Sequence, residues 1–262
     1  MKKHILFYLF IWFPFYLRAQ NPDTTIREVY IGFVYKTDIF PKSWRPDPIH
    51  ASGHEIDRRE IARSKTIITR ALSKYPEKML EYNLKAVYFL KEMKFYGVGF
   101  GGTNSSDAVY ITNQGVSLGY TDKYLEQTFH HEFSSILLRN YPSFLDTNAW
   151  KAANATGFIY NDPENGVGAI RNNQSSQALD TLLCRKGLLT QYAGSDIEND
   201  VNTFAQNLFA PERDFWNYVD RYPGIKKKTD LLVNFYGRLS SMYTEAYFRK
   251  MDKQLRIYVD TK

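Results

Sequence analysis

Cysteine is almost missing from this chain. Cys184 is the only one in 262 residues, which excludes an intramolecular disulfide and a zinc ribbon, and suits a small buried apolar side chain better than a reactive thiol. Histidine is nearly as scarce: beyond residue 20 only His50, His54, His130 and His131 remain, so an imidazole-rich metal centre has few donors to draw on. No apolar run reaches the roughly 20 residues that a bilayer-spanning helix needs. There is no phosphate-binding Walker loop and no calcium loop. Charge of one sign is not in large excess either. The full chain carries +6, but Lys2, Lys3 and Arg18 fall in its first twenty residues, and without that stretch 31 basic residues face 28 acidic ones, or +3. A balance that small gives no argument for nucleic acid as a partner.

What is present begins with a leader. Lys2 and Lys3 precede the almost unbroken apolar stretch from Ile5 to Leu17, and Leu17-Arg18-Ala19-Gln20 fits a cleavage site. Residues 1–20 are therefore read as a signal peptide, and 21–262 as a single domain of an exported, periplasmic or cell-envelope protein, expected as a monomer. No cysteine follows the apolar run, which rules out lipid attachment at a mature amino-terminal cysteine. Aromatic residues are plentiful, 20 Tyr and 18 Phe, and core packing is their commonest use.

Along the chain, Glu28 to Tyr35 alternates as a strand does. Residues 41–53 hold three prolines and read as a loop. Glu55 to Tyr75 has apolar residues at helical spacing and is ended by Pro76. Strands are expected at Leu84 to Leu90, Phe95 to Phe100 and Ala108 to Thr112. A helix starts near Thr121 or Asp122, both good N-caps. The Asn- and Gly-rich stretch 149–173 reads as irregular. Helices follow at Asp196 to Phe209, Glu212 to Tyr222 and Lys228 to Lys250. The order is α+β: a small mixed sheet packed on one helix, then a mostly helical second half.

The helix after Thr121 carries Thr128-Phe129-His130-His131-Glu132-Phe133-Ser134-Ser135. In the pattern His-Glu-x-x-His, two histidines four residues apart grip Zn²⁺ and the glutamate acts as general base on metal-bound water. His131-Glu132 supplies the first half, but Ser135 stands at the second histidine, and a neutral hydroxyl is a poor zinc ligand. On a helical wheel Leu125, Phe129, Phe133, Ile136 and Leu137 form an apolar face, with His131 nearly opposite among Tyr124, Thr128, Ser135 and Leu138. On the helix from Asp196, Glu198 and Asp200 are both candidate carboxylate donors and both acceptable first-turn acids. The loop bearing His50 and His54 offers another route for an imidazole. Gly115-Val116-Ser117-Leu118-Gly119 matches a nucleophile-elbow pattern, but no acid-then-histidine order follows it at a hydrolase spacing, and it reads as a turn.

These residues, with Gly101-Gly102 and the preceding strands, Glu198-Asn199-Asp200 and the tail from Phe235-Tyr236 to Tyr247-Phe248-Arg249, give a chain that resembles the zinc-binding metallopeptidases of the zincin superfamily, glutamate-zincin branch. The resemblance implies a zincin-like fold, zinc as cofactor and a peptide or protein substrate. It makes His131 the first metal ligand, Glu132 the general base, and Glu198 or Asp200 the carboxylate ligand. Ser135 departs from it. Two readings follow: an exported metallopeptidase that hydrolyses peptides with metal-activated water, or an inactive homologue kept as a binding or structural module.

Overall fold

The computed structural model describes residues 21–160, 164 and 166–260, with side chains described as far as residue 252; the signal-peptide reading lies outside it. The fold is α+β with a mixed sheet. Strands β1 (Thr24–Ile26), β2 (Val29–Gly32), β3 (Ser52–Glu55), β4 (Ala86–Phe95), β5 (Val98–Gly99), β6 (Gly102–Asn104) and β7 (Ala108–Thr112) form one seven-stranded sheet in the order β1-β2-β4-β7-β6, with β3 and β5 paired to β4. The β2–β4 and β4–β7 ladders are parallel, whereas β1 and β6 close the two edges antiparallel.

Side chains alternate across the parallel pair β4–β7, because strand residues point to opposite faces in turn. Val87 and Phe89, in register with Val109 and Ile111, enter the main core. Ala86, Tyr88 and Leu90 turn to the other face, where Tyr88 stacks on Tyr110 at 5.3 Å. That face is covered by Phe40 and Trp44 from the proline-rich loop. The loop therefore packs on the sheet away from the main helices. Its His50 pairs with Asp47 and its His54 with Glu92, both at exposed positions, so neither imidazole joins His131.

Ten helices are described: α1 (Arg58–Ser73), α2 (Glu77–Asn83), α3 (Asp122–Asn140), α4 (Thr147–Ala152), α5 (Val167–Arg171), α6 (Thr181–Cys184), α7 (Ile197–Phe209), α8 (Phe215–Arg221), α9 (Pro223–Leu239) and α10 (Glu245–Asp260). Thr121 caps α3 by accepting from the Tyr124 amide at 3.2 Å, and Asp196 caps α7 by accepting from Asn199 at 2.7 Å; each satisfies an amide that the first turn leaves without a helical partner. The expected helix from Lys228 to Lys250 is two helices. Proline at N1 starts α9 at Pro223, and the break after Leu239 is fixed by Thr244, whose hydroxyl accepts from the Tyr247 amide and opens α10. Short helices α4 and α5 also interrupt the stretch expected to be irregular.

Phe129, Phe133 and Ile136 of α3 are fully buried in the cluster that includes Val87, Phe89, Val109 and Ile111. Phe204, Leu208 and Phe209 of α7, with Leu232, Phe235 and Tyr236 of α9, extend the same core. Helix α3 is thus wedged between the sheet and α7, and both of its long sides have neighbours.

A cleft between helix α3, the sheet edge and helix α7

Four contacts set the register of α3 against α7. Gln127 donates to the Ala210 carbonyl at 2.8 Å, His131 Nδ1 meets Gln206 Oε1 at 2.9 Å, Asn202 donates to Ser135 Oγ at 2.6 Å, and Arg139 reaches Glu198 at 3.3 Å. As one helix advances by four the other retreats by four, so the two run antiparallel with one polar residue per turn facing its partner. His131 and Ser135, one turn apart, thus face Gln206 and Asn202.

The opposite flank of this polar stripe is the sheet edge. Asn104 of β6 donates to Glu132 Oε2 at 2.6 Å and itself accepts from Arg139. The backbone of β6 approaches very closely. A side-chain carbon on Gly102 would lie 2.5 Å from Thr128 and 2.7 Å from Glu132 Oε1, and one on Gly101 would lie 2.1 Å from the Tyr124 hydroxyl. A larger residue at either position would have to displace these side chains. Between β6, α3 and α7 lies a cleft of about 380 Å³ whose walls include Gly101, Gly102, Tyr124, His131, Glu132 and Tyr192. The His131 ring stacks on Tyr192 with centroids 6.1 Å apart. Burial pushes the Glu132 carboxyl above its ordinary value, against the opposing pull of the His131 ring and the Asn104 amide. Burial likewise pushes the Tyr124 hydroxyl up to about 12.

The candidate site residues are divided by this geometry. His131 and Glu132 line the cleft. Glu198 lies on the α3-facing stripe of α7, but opposite Arg139, eight residues and ~12 Å of helix rise from Gln206. Asp200 is on another side of α7. Its carboxylate is fully buried and bound by Lys228 at 2.5 Å, Tyr160 at 2.5 Å and Trp150 at 2.8 Å. Two positions from Glu198 is about 200° around a helix, and the ion pair with Lys228 holds Asp200 there. The structure does not bring Asp200 to His131.

Three residues that the sequence reading passed over complete the site: Asn104, Asn202 and Gln206. The spacing of the polar residues on α7 was a usable signal. Glu198, Asn202 and Gln206 recur every four positions, matching the descending Arg139, Ser135 and His131. Chain proximity gives no such clue to Asn104, which lies on another element.

The donor set does not fit zinc. Zinc centres use three or four imidazole, thiolate or carboxylate donors. The side chains facing His131 and Ser135 are the neutral amides of Gln206 and Asn202, and among the described residues no three of His, Cys, Asp and Glu are grouped to hold a metal. Asn202 leaves its Oδ1 buried without a hydrogen-bond partner, a single weak oxygen that does not complete such a set.

No family model matches the chain, and no curated protein matches it. Among solved structures, a "putative zinc-binding metallo-peptidase" from Bacteroides caccae is similar in fold, with a TM-score of 0.53 at 16% identity, covering 89% of this chain and 86% of that one.

Proposed function

We propose that this protein is an exported, metallopeptidase-like peptide-binding module that does not hydrolyse peptides. One observation carries the reading: the paired contacts His131–Gln206 and Ser135–Asn202 put neutral hydrogen-bonding groups where a metal-binding helix pair needs ionised or imidazole donors. The cleft itself is retained, with a glycine-bared strand edge along one wall and Glu132 beside His131. Export is supported by the charged and apolar leader, and peptide as ligand by the cleft and by the fold shared with the Bacteroides protein.

Zinc titration by calorimetry tests the reading. The natural sequence is expected to take up no zinc tightly, and its melting temperature to be unmoved by zinc or by chelator. Ser135→His combined with Asn202→Asp supplies an imidazole and a carboxylate one turn from His131. The added bulk at a site only 2% exposed should lower stability by about 1–3 kcal/mol without metal, with zinc restoring about 2.7 kcal/mol at a hundredfold excess over its dissociation constant. Tight one-to-one zinc binding by the natural sequence, lost in His131→Ala, together with peptide cleavage lost in Glu132→Gln, would instead make it a metallopeptidase.

A further inference from the structure

The buried carboxylates Glu126 and Asp200 both have cations, and half-buried Glu132 is different. Glu126 has Lys74 at 2.7 Å and Arg70 at 2.6 Å, and Asp200 has Lys228. Glu132 has none within salt-bridge reach among the described residues. Its Oε2 accepts from the Asn104 amide, and its Oε1 lies against Gly102 at the cleft wall. Next to it, His131 is only 7% exposed and directs Nδ1 at the Gln206 oxygen. The Gln206 amide nitrogen is turned to the Gln177 oxygen at 3.4 Å, the arrangement that leaves the Gln206 oxygen facing His131. In a neutral imidazole Nδ1 then carries the proton and Nε2 is an acceptor. Among the described residues no lysine or arginine lines the cleft, whereas Phe100, Tyr124 and Tyr192 do. The nearest fixed cation, Arg139, is committed to Glu198, Asn104 and the Ser105 carbonyl.

We infer that this corner of the cleft receives a primary ammonium group of a peptide, either its amino terminus or a lysine side chain, with Glu132 Oε1 and His131 Nε2 as acceptors. The inference rests on the peptide-binding reading above and names which part of the peptide is held. An ammonium brings only donors and a positive charge to a wall of acceptors and aromatic faces. A carboxylate or phosphate would meet Glu132 with like charge, and a hydroxyl would leave the buried acid without a counter-charge.

Calorimetry at pH 7 with the mature chain tests it, using Ala-Phe-Ala-amide, its N-acetyl form, N-acetyl-Ala-Lys-Ala-amide, n-butylammonium and butyrate. A free amine is expected to bind at least tenfold more tightly than the acetylated peptide without lysine, and the comparison of the first and third peptides identifies the source of the amine. Glu132→Gln should abolish the preference and Glu132→Asp, which keeps the charge, should retain part of it, with melting curves confirming that both variants fold. Equal binding of acetylated and free peptides overturns the inference and leaves the peptide-binding reading standing. Binding of n-butylammonium, sensitive to Glu132→Gln, without binding of any peptide keeps the ammonium site and removes the peptide reading. Butyrate binding as well as butylammonium, or no binding of any probe, overturns the inference.

Discussion

His130 and His131 are neighbours in sequence, each has a glutamate close by on the same helix, and their surroundings are opposite. His130 faces the closed side of α3. It is fully buried, contacts the Tyr75 hydroxyl at 2.9 Å and stacks on Phe209 at 5.0 Å, with Glu126 at 3.9 Å. Burial works against ionisation of Glu126, but His130, Lys74 and Arg70 together outweigh it and hold the carboxyl below the usual carboxylate range. His131, 100° further round the helix, faces the cleft, and burial raises its glutamate by more than the His131 ring, the Asn104 amide and Arg139 lower it. One side of α3 is an ion network in which Lys74 and Arg70 both meet Glu126; the other is a polar wall whose glutamate has no cation within salt-bridge reach among the described residues. The difference shows that a buried acid on this helix has a structural role where it is paired and an available charge where it is not.

The largest expected effect comes from breaking the closed side. Glu126→Gln leaves Lys74, 8% exposed at its side chain, without its carboxylate. Removing one partner of a buried ion pair typically costs about 3–5 kcal/mol, and urea unfolding at pH 7 should show a loss in that range. A loss under about 1 kcal/mol would mean the network relaxes or hydrates, and the two sides of the helix would not differ as described.

On the open side the same exchange should have the opposite sign. Glu132→Gln keeps an acceptor for Asn104 and removes a charge that burial disfavours, so the variant should be more stable than the natural chain by about 1–2 kcal/mol at pH 7. The same unfolding measurement decides it. Destabilisation would show that Glu132 is already compensated, which would weaken the case that it waits for a cationic ligand.

Much of this contrast was legible in the sequence, but not all. The helix, its Thr121 cap and the apolar face of Phe129, Phe133 and Ile136 followed from spacing and capping chemistry, because those signals are local and repeat with the helical period. The partners of the two histidines and their glutamates did not. Lys74 and Arg70 come from α1, Asn104 from β6, and Gln206 from α7, and which elements meet is a matter of tertiary register. Glu198 and Asp200 illustrate the limit. Glu198, one of the two candidate donors, does lie on the α3-facing stripe, but spacing carries no information on height along the axis, which sets it opposite Arg139. Nor can it register the Lys228 that holds Asp200 on another side. The pair of glycines at 101 and 102 belonged to the resemblance, and only the approach of β6 to Tyr124, Thr128 and Glu132 gives the physical reason for them.

The smallest expected effect is a pH slope, and it separates the two histidine environments most finely. Burial pushes the His130 imidazole down to about 4, from about 6.5 in an unfolded chain. Between those values the unfolded chain binds the proton and the folded chain does not, so stability rises with pH, by at most about 1.4 kcal/mol per pH unit for one proton. Glu132 acts with the other sign. Its raised carboxyl holds a proton in the folded chain above the ordinary carboxylate value, so stability falls as pH rises through that range. In the natural chain the two contributions have opposite signs above the ordinary carboxylate value. Glu132→Gln removes the negative contribution and should steepen the rise. Adding His130→Gln, which keeps a polar group beside Tyr75, should then flatten it, with Lys74 and Arg70 still beside Glu126 to hold that carboxyl down. Urea midpoints at pH 4.5, 5.5 and 6.5 give the slopes. If they are the same with and without His130, the imidazole is protonated in the folded chain or titrates alike in both states, and the closed side of α3 is less closed than its geometry indicates.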